Sequence, residues 1–501
     1  MAGTIPAVLQ AAAERFGDKA AYVEGGTTVS FTQLLHRVRE TAAGYRASGL
    51  GPGDRVVVWA PNSVDWVVAG LAVSYAGGTL VPVNSRYTGH EVAEVVDRTA
   101  AVLVVVADGF LGRTQIADLR AASDLASVRE VIDVADLADV AAEPGDIDEV
   151  AAGVSADDVA DILFTSGTTG RSKGAMSAHR QTLGVADAWG SLGGVTVDDR
   201  YLVVNPFFHS FGYKVGIVTG LLTGATLYPV ATFDVDETMR LIETERITVL
   251  PGAPTIFTSL LNAPVRSERD LSSLRLAVTG AAVVPVVLIE RMRDELAIDH
   301  VVTAFGMTEA VVVTMCRAGD SAQTVATTCG RAIPGMETRI AESDGQHGGE
   351  LLVRGDYVML GYLDDPDATA EAIDADGWLH TGDIGTLDAE GNLAITDRLK
   401  DMYISGGFNV YPAEVEQTLG RLAGVADVAV VGVPDERMGE VGKAYVVASK
   451  GSTTAASLTQ DDVIAFCKER LANFKVPRQV EFVDVLPRNL SGKVLKTELR
   501  N

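Results

Sequence analysis

The apolar residues of this chain switch period repeatedly, from short β-branched runs to helical stretches of ten to fifteen residues and back. Ser30 opens an amphipathic helix that reaches about Ser48, and Gly51-Pro52-Gly53 turns the chain into the run Arg55-Val56-Val57-Val58-Trp59. A helix from about Val64 to Tyr75, a strand over Thr79–Val83, a Thr88-capped helix to about Arg98 and a strand over Val102–Val106 follow. The alternation returns at Thr248–Leu250, at Leu274–Thr279 behind a helix near Val235–Glu245, and at Val301–Phe305. A tight turn cannot join parallel strands, whereas a helix can carry the chain back over a sheet. This order therefore predicts βαβ units and parallel sheets.

Beyond about Gly349 the texture becomes short strands with glycine turns: Glu350–Arg354, Gly385–Leu387, and Leu393–Asp397 after Glu390-Gly391-Asn392. The end of the chain reads as strand (Val425–Gly432), strand (Lys443–Ala448), helix (Gln460–Leu471) and strand (Gln479–Val483), enough for a small domain. A chain of 501 residues is also longer than one core usually organises. The fold class expected is mixed α/β. Residues 1–397 form a large N-terminal domain of αβ layers with parallel sheets and a β-rich subdomain over about 340–397, and residues 398–501 form a small α+β domain.

Charge excludes one broad class of function. The net charge of −26 leaves no clustered Lys and Arg surplus for a nucleic-acid backbone. Residues 398–501 nevertheless balance at +1, and Lys468–Arg500 carries eight basic against four acidic residues, a distribution suited either to a solvated surface or to steering a polyanionic substrate. The longest apolar stretch, Val56–Val83, is broken by Pro61, Asp65 and Gly77-Gly78, so no membrane span is expected. The start, Met1-Ala2-Gly3-Thr4-Ile5-Pro6, lacks a basic n-region, and Cys316, Cys329 and Cys467 suit neither a disulfide framework nor a zinc site. A cytoplasmic protein is expected.

The strongest local signal is Phe164-Thr165-Ser166-Gly167-Thr168-Thr169-Gly170-Arg171-Ser172-Lys173-Gly174, directly after the mostly apolar run Val159–Leu163. Three glycines, five hydroxyls and a lysine in eleven residues suit a loop that wraps anionic oxygens, although composition alone leaves a plain connection equally open. The Walker pattern fails, because Ser172 stands where its second Gly belongs and Gly174 follows Lys173.

The whole string resembles the phosphate-binding loop of the adenylate-forming superfamily, which holds acyl-CoA synthetases, firefly-type luciferases and peptide-synthetase adenylation domains. Ser172 replaces that family's Pro, which loosens the turn. Further matches follow in the family's order. Gly280-Ala281-Ala282 resembles the backbone seat of the adenine, and Phe305-Gly306-Met307-Thr308-Glu309 resembles the motif whose aromatic flanks the adenine, here Phe for the usual Tyr, and whose Thr and Glu meet the α-phosphate and magnesium. Trp378-Leu379-His380-Thr381-Gly382-Asp383 resembles the ribose segment, with Arg398 assisting Asp383. Pro487–Lys496 resembles the last motif, whose lysine, here Lys493, reaches the active site.

The resemblance implies a nucleotide site of Thr165, Ser166, Gly167, Thr168, Thr169, Gly170, Lys173, Gly280, Ala281, Ala282, Phe305, Gly306, Met307, Thr308, Asp383 and Arg398, with Mg²⁺ held by Thr165 and Glu309. Lys493, Thr308, Glu309 and His209 form the catalytic set, His209 lying in the acyl-site segment Asn205–Gly212 without an acid–base role. Gly306 and the run Ala310–Val313 help to shape the acyl pocket. The small domain is expected to be mobile, rotating about Lys400 so that Ser405, Gly406 and Gly407 border a pantetheine tunnel; Lys475 is a candidate contact for coenzyme A phosphates. ATP, Mg²⁺ and coenzyme A are thus the implied cofactors. The implied partner is a small carboxylic acid; no nucleic acid and no stable membrane insertion are expected, and a homodimer stays open.

Runs such as Asp161–Gly174, Ala178–Gln181, Asp199–Ile217 and Arg398–Glu416 resemble actinobacterial steroid-degradation ligases acting on a methyl-hexahydroindanedione propanoate. The reading is therefore an AMP-forming acyl-CoA ligase of cholesterol catabolism. Alternatives are a medium-chain fatty or aryl acid ligase, a luciferase-like enzyme, or an ATP-binding protein without catalysis.

Overall fold

The computed structural model describes residues 3–165, 172–280, 284, 286–341, 348–398, 401–405, 408–410, 412–435, 438–449, 458–471, 473–489 and 494–500, with the backbone alone at 397, 398, 404, 408 and 409. Local chemistry sets the expected helices. Ser30 and Gln33 close a reciprocal capping box on the helix Phe31–Ala47, and Thr88 and Glu91 do the same for Gly89–Thr99. The helix Val64–Tyr75 buries every residue but Asp65, as a helix apolar on all faces must.

Among the described residues the strands assemble into four sheets. The first runs Arg331–Ala332, Ala310–Met315, His300–Met307, Leu276–Gly280, Val249–Gly252, Arg200–Val203, Thr226–Pro229, Ala20–Glu24 and Thr27–Ser30. Its middle is parallel and its two ends are antiparallel. The second runs Gly361–Tyr362, Gly174–Ala178, Val159–Phe164, Thr79–Pro82, Arg55–Trp59, Leu103–Val106 and Glu130–Asp133, parallel from Val159–Phe164 onward. A third, wholly antiparallel sheet holds Met336–Ile340, Gly349–Gly355, Leu379–Leu387 and Leu393–Arg398.

The fourth sheet has a core of its own. Val425–Asp435 and Gly439–Ala448 form its long hairpin, Gln479–Phe482 adds in parallel, and the short hairpin Tyr403–Ser405/Phe408–Val410 joins at Gly439. Val415, Leu419, Val463 and Cys467, from the helices Pro412–Leu419 and Gln460–Lys468, pack with Val430, Ala444 and Val446. The alternate residues Ala429, Val431 and Tyr445 take Leu486 and Leu499 from the chain end.

Several expectations needed adjustment. Gly385–Leu387 is the end of a strand that already begins at Leu379, and the helix expected to Leu471 stops at Lys468. The segment after Asn205–Ser210 forms a π-helix, Phe211–Val218, continued by the α-helix Thr219–Thr223. Among the described residues no helix is long and apolar enough to cross a membrane.

Candidate active site

In open parallel sheets, ligands settle beyond the carboxyl ends of the strands. The motifs stand there: Thr165 follows Val159–Phe164, Asn205–Ser210 follows Arg200–Val203, and Gly280 and Phe305 lie at the ends of adjacent parallel strands. Gly280 pairs with Ala304, and a Cβ on it would stand 2.8 Å from the Ala304 carbonyl oxygen.

The Gly/Ser/Thr loop leaves one strand and returns on its antiparallel neighbour, Gly174–Ala178. Its neck is closed twice: Thr165 N–H donates to the Lys173 carbonyl at 2.8 Å, and Lys173 N–H donates to Thr165 Oγ1 at 3.2 Å. Arg98 donates to the Ser172 carbonyl at 2.6 Å while its guanidinium lies 5.0 Å from the Phe164 ring centroid. The loosening expected from Ser172 is thus countered at the neck. Ser166, Gly167, Thr168, Thr169 and Gly170 lie outside the described residues.

Phe305-Gly306-Met307 ends a strand that turns back as Ala310–Met315. Gly306 is required by this hairpin, since a Cβ there would lie 1.9 Å from the Val311 carbonyl oxygen. The run Ala310–Val313, expected to shape a pocket, is buried core strand. Thr308 and Glu309 form the turn between the two strands. Glu309 is only 8% exposed; its carbonyl accepts the Met359 N–H at 2.8 Å and its Oε1 accepts the Tyr362 hydroxyl at 2.8 Å. Lys173 Nζ lies 4.9 Å from the centroid of that same Tyr362 ring. The loop lysine and the buried carboxylate therefore meet on one aromatic side chain. Burial first, and then the charge of Glu309, raise the Tyr362 phenol above its ordinary pKa, so it remains a donor.

Tyr362 was not singled out from the sequence. The two-residue strand Gly361–Tyr362 has no period to detect, and its place follows from pairing with Met176 and Ala175 on the strand leaving the loop.

Around the acyl segment, buried Asn62 makes three bonds that sequence reasoning also missed. Its Nδ2 donates to the carbonyls of Val203 (3.3 Å) and Asn205 (2.9 Å), and its Oδ1 accepts the Phe207 N–H at 2.7 Å. Gly212 packs so closely that a Cβ would stand 2.2 Å from the Pro206 carbonyl oxygen. Phe211 meets Trp189 edge-on at 4.9 Å. His209 is solvent-exposed on this segment. Its Nδ1 accepts the Phe211 N–H at 3.2 Å, which leaves Nε2 as the donor of the neutral ring.

Asp383 is buried on Leu379–Leu387, directly opposite Arg398 in the ladder, so the register brings together the two residues assigned to the ribose. In the C-terminal sheet Ser405 is buried, and Lys475 Nζ lies 2.7 Å from Glu414 Oε2, an ion pair it must share or leave to meet a phosphate. Lys493, Lys400, Gly406, Gly407, Ala281 and Ala282 lie outside the described residues. On either side of Lys493 the backbone pairs: Arg488 bridges Val494, and Leu495 N–H donates to the Pro487 carbonyl at 2.8 Å.

Residues 9–363 match the model of the AMP-binding enzyme family, and residues 414–493 match the AMP-binding enzyme C-terminal domain. A 3-(7a-methyl-1,5-dioxo-octahydro-1H-inden-4-yl)propanoyl:CoA ligase of Rhodococcus jostii is 59% identical over 99% of this chain and 98% of its own. The enzyme of the same name from Mycobacterium tuberculosis is 55% identical over the same shares. Among solved structures, ATP-bound MatB from Rhodopseudomonas palustris superposes with a TM-score of 0.87 at 32% identity, over 100% of this chain and 98% of that one. The ordered motifs, the parallel sheets that carry them and the family match over most of the chain agree: this protein belongs to the AMP-binding enzyme family, the adenylate-forming superfamily its sequence resembles.

Proposed function

We propose that this chain is an AMP-forming acyl-CoA ligase whose acid is the bicyclic 7a-methyl-1,5-dioxo-octahydroindenyl propanoate, a steroid-ring remnant. The observation that carries the reading is the 59% and 55% identity, over nearly the whole chain, to two enzymes named for that acid. The meeting of Lys173 and Glu309 on Tyr362 supports the nucleotide half.

In the first half-reaction an acid oxygen attacks the α-phosphorus of ATP, the bond to the bridging oxygen breaks, and diphosphate leaves. Negative charge grows on the phosphate oxygens, and Lys173, Thr308 and Lys493 would stabilise it. In the second, the CoA sulfur attacks the acyl carbon and AMP departs. His209, whose Nδ1 accepts the Phe211 N–H, would offer an Nε2–H donor beside the acid and take no proton. Asp383 and Arg398 would orient the ribose.

Among the described residues no three His, Cys, Asp or Glu side chains cluster as a protein-made metal cage. One buried carboxylate, Glu309, and one hydroxyl, Thr165, fit Mg²⁺, which takes few protein oxygens and completes its shell from phosphate and water. Bound there, the ion would neutralise phosphate charge. Residues 1–397 would form the nucleotide- and acid-binding body and residues 398–501 a cap turning about Lys400, so that Lys493 serves the first step and Ser405, Gly406 and Gly407 border the CoA thiol in the second. A cytoplasmic site of action fits supplies of ATP and CoA.

The test offers the wild-type protein the indenyl propanoate, ferulate and fatty acids, and reads CoA thioester and AMP. The indenyl acid should give the highest kcat/KM; preference for ferulate, the acid named in a 38% identical relative from Amycolatopsis, would overturn the choice of acid. Lys493→Ala should abolish adenylation yet still thioesterify a supplied acyl-adenylate, and equal loss of both steps would refute its role.

A further inference from the structure

The interior holds an ion pair that no step above uses. Lys214 and Asp161 are 1% and 0% exposed, and Nζ stands 2.9 Å from Oδ1. The same ammonium donates to Ser177 Oγ at 2.8 Å, and Thr182 Oγ1 donates to Asp161 Oδ2 at 2.7 Å. Asp161 lies on the strand that enters the phosphate loop, Ser177 on the strand that leaves it, and the two are ladder partners. Lys214 lies on the π-helix that begins inside the acyl segment and continues beyond Gly212. One ammonium therefore ties both arms of the phosphate-loop hairpin to the segment assigned to the acid.

Stability alone is a poor reason for this arrangement. Removing two charges from water makes a buried pair no better than apolar side chains of equal volume, and often worse. A π-turn is itself rare and gathers at functional sites; here it carries Lys214 inward toward Asp161. What the pair supplies is a fixed distance between two binding segments that belong to different sheets.

We propose that Lys214, Asp161 and Ser177 form a positioning clasp that sets the acid carboxylate against the α-phosphate of ATP, and so act in adenylation without touching either substrate. The proposal rests on the adenylate-forming reading. In-line attack requires oxygen and phosphorus to be held within roughly 3–3.5 Å, and an error of about 1 Å lowers the rate by about 10²-fold. Each segment can still hold its own ligand without the clasp; only their mutual placement depends on it. After the first step the mixed-anhydride bond fixes that placement, so the clasp is not needed for thioester formation.

The test uses the full-length double variant Asp161→Asn/Lys214→Met, which removes both charges at nearly constant volume and leaves neither unpaired. Acid-dependent ATP–pyrophosphate exchange with the indenyl propanoate should fall in kcat by about 10²-fold, with both KM values held within about threefold. Thioester formation from the supplied acyl-adenylate should stay within about threefold of wild type. Equal loss of both half-reactions, a change confined to the acid KM, or wild-type exchange would overturn the proposal. If circular dichroism shows the double variant unfolded, Ser177→Ala decides: exchange should fall about fivefold with the second step unchanged, and any other result overturns the clasp. A wild-type protein that exchanges pyrophosphate with no acid would overturn the underlying reading instead.

Discussion

Replacing Tyr362 by Phe removes one oxygen and leaves the ring on which Lys173 lies. The lost bond is the 2.8 Å hydroxyl contact to Glu309 Oε1, in a carboxylate only 8% exposed, so bulk water is poorly placed to replace it. A hydrogen bond to a charged partner contributes about 1.5–3 kcal/mol net. At about 1.4 kcal/mol per factor of ten, that loss predicts a fall of about 10–150-fold in kcat/KM for ATP if Glu309 serves the nucleotide. Pyrophosphate exchange at saturating acid, titrated with both ATP and Mg²⁺, reads it, and a thermal melt establishes that the variant is folded at assay temperature. Tyr362→Leu also removes the buried ring and should lose at least about a further two- to fivefold, the lower end of what a cation–π contact contributes. A folded Tyr362→Phe enzyme within about threefold of wild type would refute the assignment of Tyr362 as the support of Glu309.

Two further outcomes follow from the packing. His179 is 1% exposed, accepts the Ile5 N–H on Nδ1 at 3.3 Å, and has its pKa pushed down to about 4 by burial. The unfolded chain protonates near 6.5, so this contribution is whole above about pH 6.5, is lost as pH falls toward about 4, and changes no further below that. Urea unfolding at pH 7.5 and pH 5 should show wild type losing about 2 kcal/mol more than His179→Gln, and equal losses would contradict the neutral buried ring. Gly306→Ala places a Cβ 1.9 Å from the Val311 carbonyl oxygen, so the hairpin must open by about 1 Å, and exchange should fall by about 10²-fold with about 1–3 kcal/mol of destabilisation. Wild-type exchange in that variant would show that the hairpin does not set the nucleotide site.

Much of the frame was written locally. Ser30 with Gln33 and Thr88 with Glu91 fix helix starts through bonds between residues three apart, which a sequence displays directly. Val57, Val104 and their neighbours mark buried strands because no other environment suits such runs, and the βαβ order then dictates parallel pairing. The motif positions were legible on another ground, the resemblance of their strings to those of the adenylate-forming superfamily, and the structure stands Thr165, Gly280 and Phe305 at strand ends.

The π-helix could not be read that way: its wider turn carries Lys214 to a partner, Asp161, that lies 53 positions earlier. Tyr362 and Asn62 gave no signal either, each being an ordinary residue whose importance comes from partners far along the chain. By itself, then, the sequence determined the elements and their parallel order, since these depend on neighbours within a few residues, while the chemistry expected at the strand ends came from the resemblance of its motifs. Tertiary structure alone decided which side chains support that chemistry, because a hydrogen bond or ion pair in the core is set by three-dimensional distance, which linear spacing does not encode.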